Sequence, residues 1–212
     1  MTRIGRRPGN PDTRQAILAA AREAFAERGF DSTSIRAIAT AAGVDPALVH
    51  HYFGTKDQLF LDAMQVPFDP GSILSTVLAR GRDGAGERLV RTMLSVWDSP
   101  AGVAAAALVR SAVGNETFAR MLREFVSRGI LRRVGKAFDL APAEAGLRTN
   151  LVASQIVGLI MVRYIIRLEP IASAPPEVLA PLIGSTVQRY LTEPLPAAAV
   201  SAESGVRKNQ RP

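Results

Sequence analysis

"TSIRAIATAAGVDPALVHHYFGTKDQLF" (residues 33–60) decides the fold. Its apolar residues recur three and four apart as Ile35, Ile38, Ala39 and Ala42, then resume after Gly43 as Val44, Val49 and Phe53. That spacing places them on one side of two successive short helices. Thr33 or Ser34 stands where the first helix needs a cap. Asp45-Pro46 opens the second, with Asp as cap and Pro in the first turn. Thr55 caps a further helix that carries Lys56, Leu59, Phe60 and Met64.

Working outward, "ILAAAREAFAERGF" (17–30) supplies a preceding helix whose Ile17, Ala20, Ala21, Ala24 and Phe25 share a face. Gly29 stops it, and Phe30 can fold back over its end. Asn10-Pro11 starts it, and residues 1–11 read as a flexible basic arm with Arg3, Arg6 and Arg7. Beyond "VPFDPGS" (66–72) the spacing predicts helices near 71–81, 86–98, 101–113, 115–137, 142–168 and 176–192. Gly129 is placed to bend the fourth of these. From Pro194 the chain is small and polar and reads as a disordered tail. Strand signals are nearly absent, so the expected class is all-α.

Composition narrows the rest. The chain has 212 residues, 47% hydrophobic and 21% charged, enough to bury a core. It has no cysteine, which excludes disulfides, a thiolate nucleophile and a cysteine-ligated zinc finger. The net charge of +7 suits a polyanionic partner. Its distribution does not carry that argument: residues 1–64 hold eight Lys/Arg against seven Asp/Glu, and residues 73–170 hold fourteen against eight. The opening fifteen residues lack an apolar stretch, so no signal peptide is expected. "LVASQIVGLIMVRYIIRL" (151–168) barely reaches spanning length and contains Gln155, Arg163 and Arg167. A buried helix of a soluble, cytoplasmic bundle is the expected reading, with no membrane partner.

A short helix, a glycine turn and a second short helix held on a preceding one describe a helix-turn-helix. In that motif the second helix enters the major groove of DNA with its N-terminal residues on base edges. Pro46, Ala47, Leu48, His50 and His51 fall on the open side. The two histidines are the only ones in the chain. Neighbours on a helix point about 100° apart, so the pair is a poor chelate, and no acidic cluster joins it at ligand spacing. Packing or contact with phosphate or groove remains, and the contact is favoured for at least one of them.

The same residues resemble the DNA-binding domain of the TetR (tetracycline repressor-like) family. The match covers about residues 12–60: Ile-Leu, Ala, Phe and Gly-Phe in the first helix, then Thr, Ile-Ala, Ala-Gly-Val, an aromatic run ending in Phe53, and Lys56 followed by an acid and Leu59. The resemblance implies an N-terminal three-helix domain over 12–66 and a helical ligand-binding and dimerisation domain over 67–193. It implies phosphate contacts from Thr33, Ser34, Tyr52 and Lys56, and a groove or backbone contact from Arg36. Pro46, Ala47 and Leu48 would meet base edges, where a thymine methyl suits apolar side chains. His50 stands where the family usually has a tyrosine on the backbone, and His51 completes the run. Arg3, Arg6 and Arg7 would enter the minor groove. Because an ordinary histidine titrates near pH 6.5, DNA affinity that varies with pH would follow. Asp45 would repel DNA and is expected to cap its own helix instead.

For the second domain, Met93, Trp97, Phe118, Met121 and Phe125 are candidates to line a ligand pocket, against the plainer reading of ordinary core. Arg110 and Arg163 interrupt apolar stretches and would orient an acidic ligand group or form ion pairs. "RMLREFVSRGILRRVGK" (120–136), with five Arg and one Lys, reads first as a solvated helix face. The last two long helices are the candidates for a homodimer interface through Ala153, Ile156, Val157, Gly158 and Ile160 and through Leu182, Ile183, Ser185 and Thr186. The family resemblance implies a four-helix bundle there. The expected function is a dimeric, ligand-responsive repressor on a palindromic double-stranded DNA operator, with a small apolar effector. No cofactor, metal or catalytic residue is expected, because no triad, phosphate loop or paired carboxylates stand at useful spacing. The alternatives are an enzyme using His50 or His51, and a basic module without sequence readout.

Overall fold

The computed structural model describes residues 11–196, with helices and no strand among the described residues. The expected arm contacts Arg3, Arg6 and Arg7, and the tail from 197, lie outside the described residues. In chain order the helices are α1 (Pro11–Ser32), α2 (Ile35–Ala41), α3 (Pro46–Phe53), α4 (Lys56–Ala63), α5 (Pro70–Leu78) and α6 (Ala85–Trp97). There follow α7 (Pro100–Gly114), α8 (Glu116–Glu124), a π-helical turn Phe125–Leu131, α9 (Arg132–Ala137), α10 (Ala145–Ile160), a second π-helical turn Met161–Ile166, and α11 (Pro176–Thr192).

Two compact units form: the chain through Pro67 together with Ser111–Phe125, and Phe68–Arg110 together with the chain from Val126. Within the expected 67–193 region, α8 packs with the first unit rather than with its neighbours in the chain. There Met121 and Phe125 are buried beside α1. Phe125 stacks on Phe60 at 4.6 Å between centroids, and Phe30 meets both rings edge-on at 5.2 and 5.4 Å. Such aromatic pairs add about 0.5–1.5 kcal/mol each beyond their area. Glu124 accepts the backbone N–H of Phe30 at 2.8 Å, and Arg120 donates to the Ala26 carbonyl at 2.9 Å. The expected single helix over 115–137 is interrupted at the π-helical turn containing Gly129, where the chain leaves one unit for the other.

Gly29 does interrupt α1, as its position suggested: its φ of 79° breaks the helical run, and a Cβ there would collide with the Glu124 carboxylate. Ile17, Ala21 and Phe25 are fully buried, as the spacing required. Arg14 pairs with Asp62 at 2.6 Å, and Arg22 donates to the Ala63 carbonyl at 2.8 Å, so the C-terminal end of α4 is tied to α1 at two points.

In the second unit α6 and α11 approach closely. Gly86 and Gly184 face each other there, and a Cβ on either would strike the partner helix's backbone. The Gly86 N–H donates to Gln188 Oε1 at 2.9 Å. Val77, Val90, Leu94, Phe138, Val152, Leu159, Val187 and Leu191 fill the core around them. Arg148, nearly buried, pairs with Glu144 at 2.7 Å and donates to the Tyr190 and Glu193 carbonyls, closing the end of α11. The stretch Ala145–Ile166 is long and apolar enough to cross a membrane by length and composition. Its two internal arginines, Arg148 and Arg163, bond within this unit instead.

Candidate nucleic-acid interface and apolar cavity

The turn between α2 and α3 is built by backbone. Ala42 N–H donates to Ile38, Gly43 to Thr40 and Val44 to Ala39, at 2.9–3.1 Å. Gly43 has φ of 66°, a left-handed value that glycine adopts without strain. Ser34 caps α2 by accepting from Ala37 N–H at 3.1 Å. Asp45 caps α3 by accepting from Ala47 N–H at 2.8 Å, which gives its carboxylate the local role expected of it. Ile38 and Ala39 of α2 and Val49 and Phe53 of α3 are buried, so the two helices are locked by their inner faces. Arg14 stacks on the Phe53 ring at 5.2 Å, one more tie from α1.

The outer face of α3 then follows from the register. Ala47, His50 and His51 are exposed, and Pro46, Leu48 and Tyr52 are half-buried. Ser34 and Arg36 are exposed at the start of α2. His50 Nδ1 lies 2.9 Å from the Gly54 carbonyl, so in its Nδ1–H form the ring donates there and closes the end of α3. When both nitrogens are protonated, Nε2–H remains to donate to a phosphate. His51 lies edge-on to Tyr52 at 5.7 Å. Among the described residues, no three His, Cys, Asp or Glu side chains are grouped to hold a metal ion.

Two expected phosphate contacts are placed elsewhere. Thr33 is 1% exposed, and its hydroxyl donates to the Gly29 and Ala24 carbonyls at 2.7 and 3.0 Å. A side chain that satisfies the broken end of α1 from inside the unit has no surface to offer DNA. Lys56 is half-buried, with Nζ 4.5 Å from the Phe30 centroid and donating to the Asp31 carbonyl at 3.2 Å. Burial lowers its pKa, while Asp57 and Glu124 act to raise it. Its remaining donors alone are available to a phosphate.

The pocket candidates also divide. An apolar cavity of about 200 Å³ lies within the second unit, lined by α5, α6, α9, α10 and the Phe125–Leu131 turn. Of the expected residues only Met93 lines it. Trp97 is buried beside it in a cluster with Ala105, Ala106 and Ile160. Arg110 is exposed. Phe118, Met121 and Phe125 belong to the first unit, where Phe118 and Met121 border a groove with Arg22, Gln65 and Asn115. Leu89, Val126, Val134 and Phe138, which line the cavity, were missed; their only signal is helical spacing, which every core residue shares. Ala153, Ile156 and Val157, expected at a dimer interface, also line this cavity. Ile160 is buried inside the unit. Val157 and Leu182 remain 56% and 66% exposed, while Ile183 and Thr186 are half-buried.

Residues 17–63 match the model of bacterial regulatory proteins of the tetR family, and residues 83–191 match the tetracyclin repressor-like C-terminal domain. The second match alone spans half of the chain, and the chain belongs to the TetR family. An HTH-type transcriptional repressor of Mycobacterium tuberculosis is 53% identical over 51 residues, 24% of this chain and 27% of that protein. The HTH-type transcriptional regulator BetI of Brucella anthropi is 42% identical over 65 residues, 31% of this chain and 32% of that protein. These matches span about a quarter to a third of the curated relatives' length. A TetR-family regulator of known structure from Streptomyces coelicolor is 44% identical, with 88% of this chain and 98% of that one covered and a TM-score of 0.44.

Proposed function

We propose that this chain is a transcriptional repressor that binds a palindromic operator as a homodimer and is released by a small apolar effector. The observation that carries the reading is the outer face of α3. Its inner side is spent on the core through Val49 and Phe53, while Ala47, His50 and His51 are turned to solvent beside Ser34 and Arg36. That is the surface a recognition helix needs in a major groove. The operator contacts are assigned to Ser34, Arg36, Pro46, Ala47, Leu48, His50, His51, Tyr52 and the free donors of Lys56, with Arg3, Arg6 and Arg7 in the minor groove. With few hydrogen-bonding groups on α3, base choice rests largely on apolar contacts to thymine methyls, on Arg36 and on DNA shape.

Dimerisation through α10 and α11 would cover the exposed apolar side chains Val157, Val178 and Leu182. It sets two α3 helices about 34–36 Å apart, one turn of DNA. The cavity is the effector site, and an effector that prefers a spacing unsuited to DNA lowers operator occupancy by its differential affinity. Nothing in these roles requires a catalytic group, and the protein acts in the cytoplasm.

The test is selection from randomised duplex DNA at near-physiological salt. A palindromic consensus with half-sites one turn apart is the expected result. Binding without enrichment, collapsing as salt rises, would instead mean a non-specific basic surface.

A further inference from the structure

We propose that the apolar cavity of the second unit selects an uncharged hydrocarbon, a single ring with a short alkyl chain, and rejects the same skeleton once it carries a hydroxyl or a charge. The inference rests on the reading of that cavity as the effector site and names the effector's chemical class. Among the described residues, every one that lines the cavity is Ala, Val, Leu, Ile, Met, Phe or Pro. Small-molecule sites ordinarily set a few polar groups among apolar walls to orient the ligand. The only heteroatom on these lining side chains is the thioether sulfur of Met93, a weak acceptor and no donor.

The arginines of this unit do not supply the missing anchor. Arg110 and Arg163, expected to orient an acidic group, do not line the cavity. Arg163 instead donates to the Ile171 and Ala174 carbonyls, both at 2.8 Å, and Arg148 is committed to Glu144 and to the Tyr190 and Glu193 carbonyls. A carboxylate or ammonium drawn between these walls would lose its water and meet no opposite charge on a lining side chain. A hydroxyl would lose water's hydrogen bonds and find no side-chain partner stronger than a thioether.

Size narrows the class further. A cavity of about 150 Å³ lined by Leu, Ile and Phe stays dry and takes up benzene. At about 200 Å³ this one holds such a ring with a few carbons more. Phe68 and Phe138 add aromatic rings to the lining and Met93 a polarisable sulfur, which suit an aromatic ligand. The protein thereby reads a parent hydrocarbon and is blind to its hydroxylated derivative.

Three probes of one shape test this on the full chain by titration calorimetry: n-propylbenzene, 2-phenylethanol and 2-phenylethylammonium, which end in a methyl, a hydroxyl and an ammonium group. Propylbenzene should bind, phenylethanol on the order of a hundredfold more weakly, and phenylethylammonium more weakly still. The first ratio should approach that for partition from water into an alkane, well above that into octanol, because octanol can hydrogen-bond and an alkane cannot. Met93→Gln puts an amide among the lining side chains and should shrink the phenylethanol penalty on the order of fivefold. A ratio at or below the octanol value, or a charged probe binding as tightly as propylbenzene, would overturn the hydrocarbon class and leave the effector site standing. So would a penalty unchanged in a folded Met93→Gln protein, which would put the probe elsewhere. Propylbenzene that binds in the expected order without releasing the selected operator would support the class and remove the effector role. If none of the probes binds the wild-type protein, both readings fall together.

Discussion

Thr33 separates two accounts of how α2 begins. Its place before α2 suggests a hydroxyl on phosphate, whereas the structure buries it and points it at the Gly29 and Ala24 carbonyls. Thr33→Val keeps the shape and removes the donor. The buried hydroxyl donor goes, and the Gly29 and Ala24 carbonyls lose it as a partner, which costs about 1–3 kcal/mol. With a urea dependence of about 2 kcal/mol per molar, the midpoint should fall by on the order of 0.5–1.5 M. Far-UV circular dichroism across a urea series gives that shift. The same variant, titrated onto the selected operator at several salt concentrations, should keep the wild-type slope, since each lost phosphate contact would lower it by about 0.9. Thr33→Ser should restore most of the stability. A Thr33→Val protein with unchanged midpoint and a shallower salt slope would show the reasoning to be wrong and return the hydroxyl to the DNA surface.

Other outcomes follow from single features. Gly184→Ala puts a methyl into the Glu87 backbone across the α6–α11 contact, and overpacking of about 1–3 kcal/mol should lower the melting temperature; an unchanged melting curve would mean the helices can part freely. Phe60→Ala removes the ring on which Phe25, Phe30 and Phe125 meet, and a loss of about 3–5 kcal/mol should appear as a destabilised first unit in hydrogen exchange. Leu182→Glu charges an exposed apolar position on α11, and on the proposed dimer sedimentation should shift from dimer for the parent to monomer for the variant; a variant still dimeric would place the interface elsewhere. Burial, with the hydrogen bond to Asp98 next, raises the Tyr164 phenol to about 12. An unfolded chain loses that proton near 10, so the folded state holds more protons between the two values. Its contribution to stability is complete below pH 10 and should drain away as pH rises toward 12. Tyr164→Phe should flatten that part of the stability profile.

Much of the site was legible because its signals are local. Ser34, Asp45 and Thr55 cap the helices that follow them, and each bond spans two or three residues. The burial of Ile38, Ala39, Val49 and Phe53 follows from spacing within a turn or two of helix. Thr33 and Lys56 were not legible in the same way. A threonine beside a cap and a lysine at a helix start have the same sequence whether they face DNA or turn inward. Phe30 and Gly29, with the carboxylate of Glu124 drawn from far along the chain, decide the matter.

By itself, then, the sequence determined the helical class, the register of α2 and α3, the glycine turn between them and so the face that α3 leaves open to solvent. These depend on backbone dihedrals, caps and periodicity, which act between near neighbours. Only the tertiary structure decided that α8 joins the first unit, that Phe125 completes its aromatic core, and that Ala153 and Ile156 line a cavity. An amphipathic helix states that it must bury a face; which neighbour receives that face depends on shape and charge brought together from distant parts of the chain.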